Sequence, residues 1–106
     1  MPHYMVAQVK VTDDSWVADY AARVSDIIHR HGGRYLSRSG NIKCLEGDGE
    51  GLDLVALVEF PDLASIEAFM ADPEYQPFAQ SRRAGGETQL LAIDSSDAMG
   101  AIGYLA

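Results

Sequence analysis

Cysteine is nearly absent from this chain: Cys44 stands alone among 106 residues, which excludes an internal disulfide and a cysteine-built metal site. Basic residues are also scarce, eight against sixteen acidic ones, and the net charge of −8 opposes binding to nucleic acid or to an anionic membrane. No apolar run reaches the length of a membrane span, and the start of the chain lacks a secretory-signal pattern, so a cytoplasmic protein is the default expectation. Neither a Ser-His-Asp order nor an HExxH pair occurs, and the glycine-rich segment Glu46–Asp53 is too acidic to cradle a phosphate. His29 and His31 are two apart, about 200° around a helix, so they do not share a metal. Neither a metal nor a tightly held cofactor is expected.

What is present is an ordinary globular composition, 47% hydrophobic and 23% charged, in a chain of one domain's length. Its organising stretch is LDLVALVEF, Leu52–Phe60. Leu54, Ala56, Val58 and Phe60 fall on one face of a strand, and Val55, Leu57 and Glu59 on the other. Both faces are apolar except at Glu59, so the strand is central and covered on each side. Pro61 ends it, and Asp62 caps a helix carrying Leu63, Ile66, Phe69 and Met70 on one stripe. Asp72-Pro73 then restarts a helix predicted over Glu74–Arg83, with Tyr75, Phe78, Ala79 and Arg82 on its inner side.

Upstream, Tyr4–Val11 alternates as a strand, and Thr12–Ser15 is a helix start. Val17, Tyr20, Ala21, Val24, Ile27, Ile28 and His31 recur at helical spacing, and Gly32-Gly33 supplies a left-handed cap. Arg34–Arg38 reads as a strand, interrupted at Ser39-Gly40-Asn41 by a bulge or a kink and resumed over Ile42–Leu45. Thr88–Ile93 is the last strand. The order strand, helix, strand, strand, helix, strand gives an α+β, ferredoxin-like βαββαβ domain over residues 1–94: an antiparallel four-stranded sheet with both helices on one face. Residues 95–106 form an apolar tail, expected to dock on protein through Met99, Ile102, Tyr104 and Leu105. Two helices cover one sheet face only, and a homodimer packed sheet against sheet covers the other.

Glu59 is the most informative polar residue, because a carboxylate among apolar neighbours needs a compensating partner. Arg38, from the neighbouring strand, and Arg82, from the last helix, are the expected partners. The trio is either a structural ion pair or a catalytic or binding cluster for an acidic or enolic molecule. Tyr35 and Tyr75 are candidate ligand-binding walls, and His31 is a third candidate contact, although a histidine there also serves as a helix C-terminal cation.

Asp13 with Tyr20, Gly32-Gly33-Arg34-Tyr35 with Arg38 and Gly40, Glu46-Gly47, Glu59-Phe60-Pro61, and Pro73-Glu74-Tyr75 with Arg82 together resemble the domain of unknown function family numbered 1330, in the dimeric α+β barrel superfamily. The resemblance implies a homodimeric ferredoxin-like fold and no established reaction. Relatives in the wider superfamily include cofactor-independent monooxygenases, muconolactone isomerases and haem-handling enzymes, an analogy at the level of fold. Two readings of function stay open: a cofactor-independent enzyme or binder for a small organic ligand, and a non-catalytic dimerisation or ligand-sensing module.

Overall fold

The computed structural model describes residues 1–100 and Gly103. The chain runs β1 (His3–Val11), a 3-10 turn (Asp14–Trp16), α1 (Val17–Arg30), β2 (Arg34–Ser39), β3 (Leu54–Phe60), α2 (Leu63–Ala71), α3 (Gln76–Ala84) and β4 (Gly86–Asp94). The strands form one antiparallel sheet in the order β2-β3-β1-β4, the ferredoxin-like arrangement that the order of elements implies. Among the described residues no helix is long and apolar enough to cross a membrane.

Local chemistry sets the helix ends. The Asp13 carboxylate accepts from the Ser15 N–H at 3.0 Å and opens the turn into α1. At the other end Gly33 N–H donates to Ile28 O and Gly32 N–H to His29 O, both at 3.0 Å, with Gly32 in the left-handed region at φ 82°. Asp62 caps α2, accepting from both the N–H and the hydroxyl of Ser65 at 2.8 Å. Between sheet and helices, Val24, Ile27, Ile28, Val58, Phe60, Ile66, Phe69 and Tyr75 form the core.

Three expected boundaries differ. Ile42–Leu45 is not strand: the residues before β3 are acids and glycines that offer no partner ladder, and Leu45 is 87% exposed. The bulge falls between Tyr35 and Ser37 rather than at Ser39-Gly40. α3 starts at Gln76, not Glu74, because Asp72 uses its carboxylate to accept the Glu74 N–H in a preceding turn, at 2.9 Å, and Pro77 occupies the first turn of the helix.

The helix-free face is mixed: an apolar centre from β1, β3 and β4 is flanked by Gln8, Gln89, Lys10 and Glu87 toward one end and by Glu59 with Arg34 toward the other. Val6 sits in register between Leu57 and Leu91, and Tyr4 between Glu59 and Ile93. Leu91 and Ile93 are 48% and 55% exposed in the single chain. The tail expectation rests on Ile102, Tyr104 and Leu105, which lie outside the described residues; Met99 is exposed.

Candidate functional site

Alanine at facing positions opens a space between α1 and the sheet. Ala7 and Ala56 are register partners on β1 and β3, both buried, and Ala21 of α1 lines the same space from the helix side. Packed interiors leave few voids larger than a water molecule, yet here a cavity of about 240 Å³ remains. Met5, Val9, Val58 and Leu90 extend its apolar floor, and Trp16, Tyr20 and Tyr35 give aromatic walls. Its charged lining residues are Arg38, Asp53 and Arg82. Asp53, Arg38 and Ala21 are the exposed members of the lining, so the mouth lies beside them.

Each polar group there is held by its element. Trp16 Nε1 donates to Gly85 O at 3.0 Å, and the indole stands edge-on to Tyr20 with centroids 5.2 Å apart. The hydroxyls of Tyr20 and Tyr75 share a hydrogen bond of 3.1 Å. Burial raises the Tyr20 phenol far above its ordinary pKa, Tyr75 adds to the shift, and the nearby Arg82 guanidinium opposes it. Tyr20 is therefore a neutral hydrogen-bond donor, not a base. Arg82 is 3% exposed; it donates through Nη1 to the Thr88 hydroxyl, and its buried Nε has no partner. Among the described residues no carboxylate pairs with it.

At the mouth Arg38 stacks over the Tyr35 ring at 4.3 Å and donates to Ser25 Oγ at 3.0 Å, bridging β2 to α1. The bulge puts it there. Arg34 and Arg38 are four apart and would share a face in a regular strand, but the slip between Tyr35 and Ser37 brings Arg38 opposite Ala56, on the cavity side. The Asp53 carboxylate accepts the Val11 N–H at 2.7 Å, tying β3's entry to the end of β1.

The expected trio is not assembled. Glu59 accepts from Arg34 Nε at 3.1 Å on the helix-free face, with 26% of its side chain exposed, whereas Arg38 and Arg82 line the cavity across the sheet. The reason is the two-residue period: Glu59 is three positions past Ala56 and points the other way. Tyr35 lines the cavity; Tyr75, 1% exposed, reaches it only through the Tyr20 hydroxyl. His31 is elsewhere, its Nε2 2.8 Å from Asp72 Oδ2 and its ring edge-on to Phe69. That bond and the Glu74 N–H lower the Asp72 pKa, and Arg30 lies within 3.4 Å of Asp72 and 3.0 Å of Glu74. The cluster ties the end of α1 to the turn before α3. Sequence reasoning passed over Tyr20, Trp16 and Asp53 as cavity residues; the signal was three alanines on the inward faces of β1, β3 and α1.

A family model described as a domain of unknown function, DUF1330, matches residues 2–96. The chain belongs to the DUF1330 family. No curated protein sequence matches it. Among solved structures, a protein of unknown function from Rhodopseudomonas palustris is 19% identical, with a TM-score of 0.77 over 91% of this chain and 83% of that one. SnoaB, a cofactor-independent oxygenase from Streptomyces nogalater, is 15% identical, with a TM-score of 0.64 over 91% of this chain and 94% of its own. A dimeric ferredoxin-like protein of unknown function from Jannaschia is 14% identical, with a TM-score of 0.62 over 89% and 99%. At these identities the likeness shows the fold alone.

Proposed function

We propose that this DUF1330 chain is a homodimeric small-molecule protein, a binder or cofactor-independent enzyme, whose ligand is a small organic molecule with a hydrocarbon body of one ring or slightly more, held between α1 and the sheet. The cavity carries this reading. Packed interiors leave few voids larger than a water molecule, so a space of about 240 Å³ is one that a ligand can fill. A cavity of about 150 Å³ suffices for benzene. In this reading Trp16, Tyr20 and Tyr35 are the walls, and Arg38 and Arg82 the polar positions. The neighbour named as a cofactor-independent oxygenase supports it at the level of fold. The dimer reading rests on the surface formed by exposed Leu91 and Ile93 with half-buried Val6 and Leu57.

One observation favours ligand sensing over turnover: Tyr20 stays protonated, and the one carboxylate among the cavity's described lining residues, Asp53, sits at the mouth. Among the described lining residues none combines burial with the role of a general base. A thermal-shift screen of small aromatics tests the binding reading, with an upward shift expected for ring-sized compounds. Absence of a shift across phenols, carboxylates and neutral arenes would remove it. Incubation of each hit with the protein under air, followed by mass spectrometry, separates the two versions: a new product means enzyme, unchanged ligand means binder.

A further inference from the structure

Arg82 is the least explained residue of the cavity. A guanidinium this deeply buried is ordinarily matched by a carboxylate, because its desolvation is large and its donors need acceptors. Here a neutral hydroxyl, Thr88 Oγ1, takes one donor, and Nε takes none. Tyr20 stands on the same wall with its hydroxyl bonded to Tyr75. If Tyr75 donates to Tyr20, the Tyr20 O–H is free to donate into the cavity, beside the unmatched positive charge. The other described residues around the buried part of the cavity are hydrocarbon or aromatic, so among the described residues no counter-charge faces the guanidinium there.

We propose that the cavity takes its ligand as an anion: a flat organic acid of about one ring, ionised as a carboxylate, phenolate or enolate, its charged oxygen set against Arg82 and accepting from Tyr20. The missing counter-charge of Arg82 is then the ligand itself. Charge-assisted hydrogen bonds to a buried guanidinium are stronger than neutral ones, and the hydrocarbon floor disfavours small hydrated ions that bring no apolar body. Arg38 at the mouth is the second cation that the entering acid meets, and Asp53 beside it disfavours ligands carrying charge at the outer end as well.

The proposal rests on the small-molecule reading above, and isosteric pairs separate the two. Titration calorimetry compares benzoate with benzamide, and 4-nitrophenolate with 4-nitrotoluene, on wild type, Arg82→Gln, Tyr20→Phe and Ala56→Leu. The expected result is that each anion binds at least tenfold tighter than its neutral partner, that Arg82→Gln abolishes the preference, and that Ala56→Leu abolishes binding of both. Should Arg82→Gln fail to fold by circular dichroism, Arg82→Lys, which keeps the charge, is expected to retain the preference, and Tyr20→Phe to reduce it. Equal affinity for anion and neutral partner in wild type would overturn the anion proposal and leave the cavity reading standing. So would a preference undiminished in Arg82→Gln, or lost in a folded Arg82→Lys and unchanged in Tyr20→Phe. No saturable binding by any of the four compounds would overturn both.

Discussion

Ala7 lies directly opposite Ala56 across the β1–β3 ladder, and the two methyl groups form the floor of the cavity beneath α1. Small residues paired in this way hold the space open, because no side chain reaches across it. Ala56→Leu is expected to leave the far-ultraviolet spectrum and the melting temperature near wild type, or to raise the latter. Overpacking normally costs about 1–3 kcal/mol, but here volume is free to receive the added carbons. The same variant is expected to lose any ligand-induced thermal shift. Wild-type binding by a folded Ala56→Leu would show that the ligand sits elsewhere.

The helix-free face is expected to hold the dimer together. Leu57 lies in the Leu57–Val6–Leu91 row, and Leu57→Asp places an unpaired charge where the second copy packs. That burial costs several kcal/mol, so the variant is expected to sediment as a monomer or to unfold. A wild-type chain that sediments as a stable monomer at micromolar concentration would overturn the dimer.

Glu59 and the cavity are separated by the sheet, so Glu59→Gln is expected to leave ligand affinity unchanged. What it alters is the Arg34 pair. Partly exposed pairs of this kind are worth about 0.2–1 kcal/mol, so the effect is expected in the melting temperature or the monomer–dimer equilibrium, within that range. A tenfold loss of ligand affinity in Glu59→Gln would contradict the geometry.

Asp72 makes the fold sensitive to acid. Its folded-state pKa lies below that of the unfolded chain, chiefly because His31 bonds to its carboxylate and the Glu74 N–H donates to it. A carboxylate lowered in this way contributes stability above its unfolded value, near the usual ~3.9 for aspartate, and that contribution disappears as pH falls through the folded value. Asp72→Asn is therefore expected to lower the melting temperature at neutral pH, with the gap to wild type closing in strong acid. A gap that is constant or widens on acidification would contradict the assignment.

Trp16 is expected to report on the close approach of its indole to the Gly85 backbone. A Cβ on Gly85 would fall 2.3 Å from the indole, whose Nε1 donates to the Gly85 carbonyl. Gly85→Ala is thus expected to displace the ring, shift tryptophan emission to the red and weaken aromatic binding. Emission and binding like those of wild type would mean that the indole is free to move without consequence.

Periodicity alone determined the architecture. The two-residue alternation in Tyr4–Val11 and Leu54–Phe60, the helical recurrence from Val17 to Ile28 and the Gly32-Gly33 cap each depend on neighbours close in the chain, which a sequence displays directly. The same local rules marked Arg82 and Tyr75 as inward-facing. What they did not determine was which residues meet. Glu59's partner followed from register, which sets Arg34 rather than Arg38 beside it, and register was shifted by a bulge at Leu36 that no glycine or proline announces. The cavity is the other product of tertiary structure. Ala7, Ala21 and Ala56 are ordinary one at a time, and a void exists only where three elements bring small side chains to one place, leaving Arg82 buried on its wall with no counter-charge among the described residues.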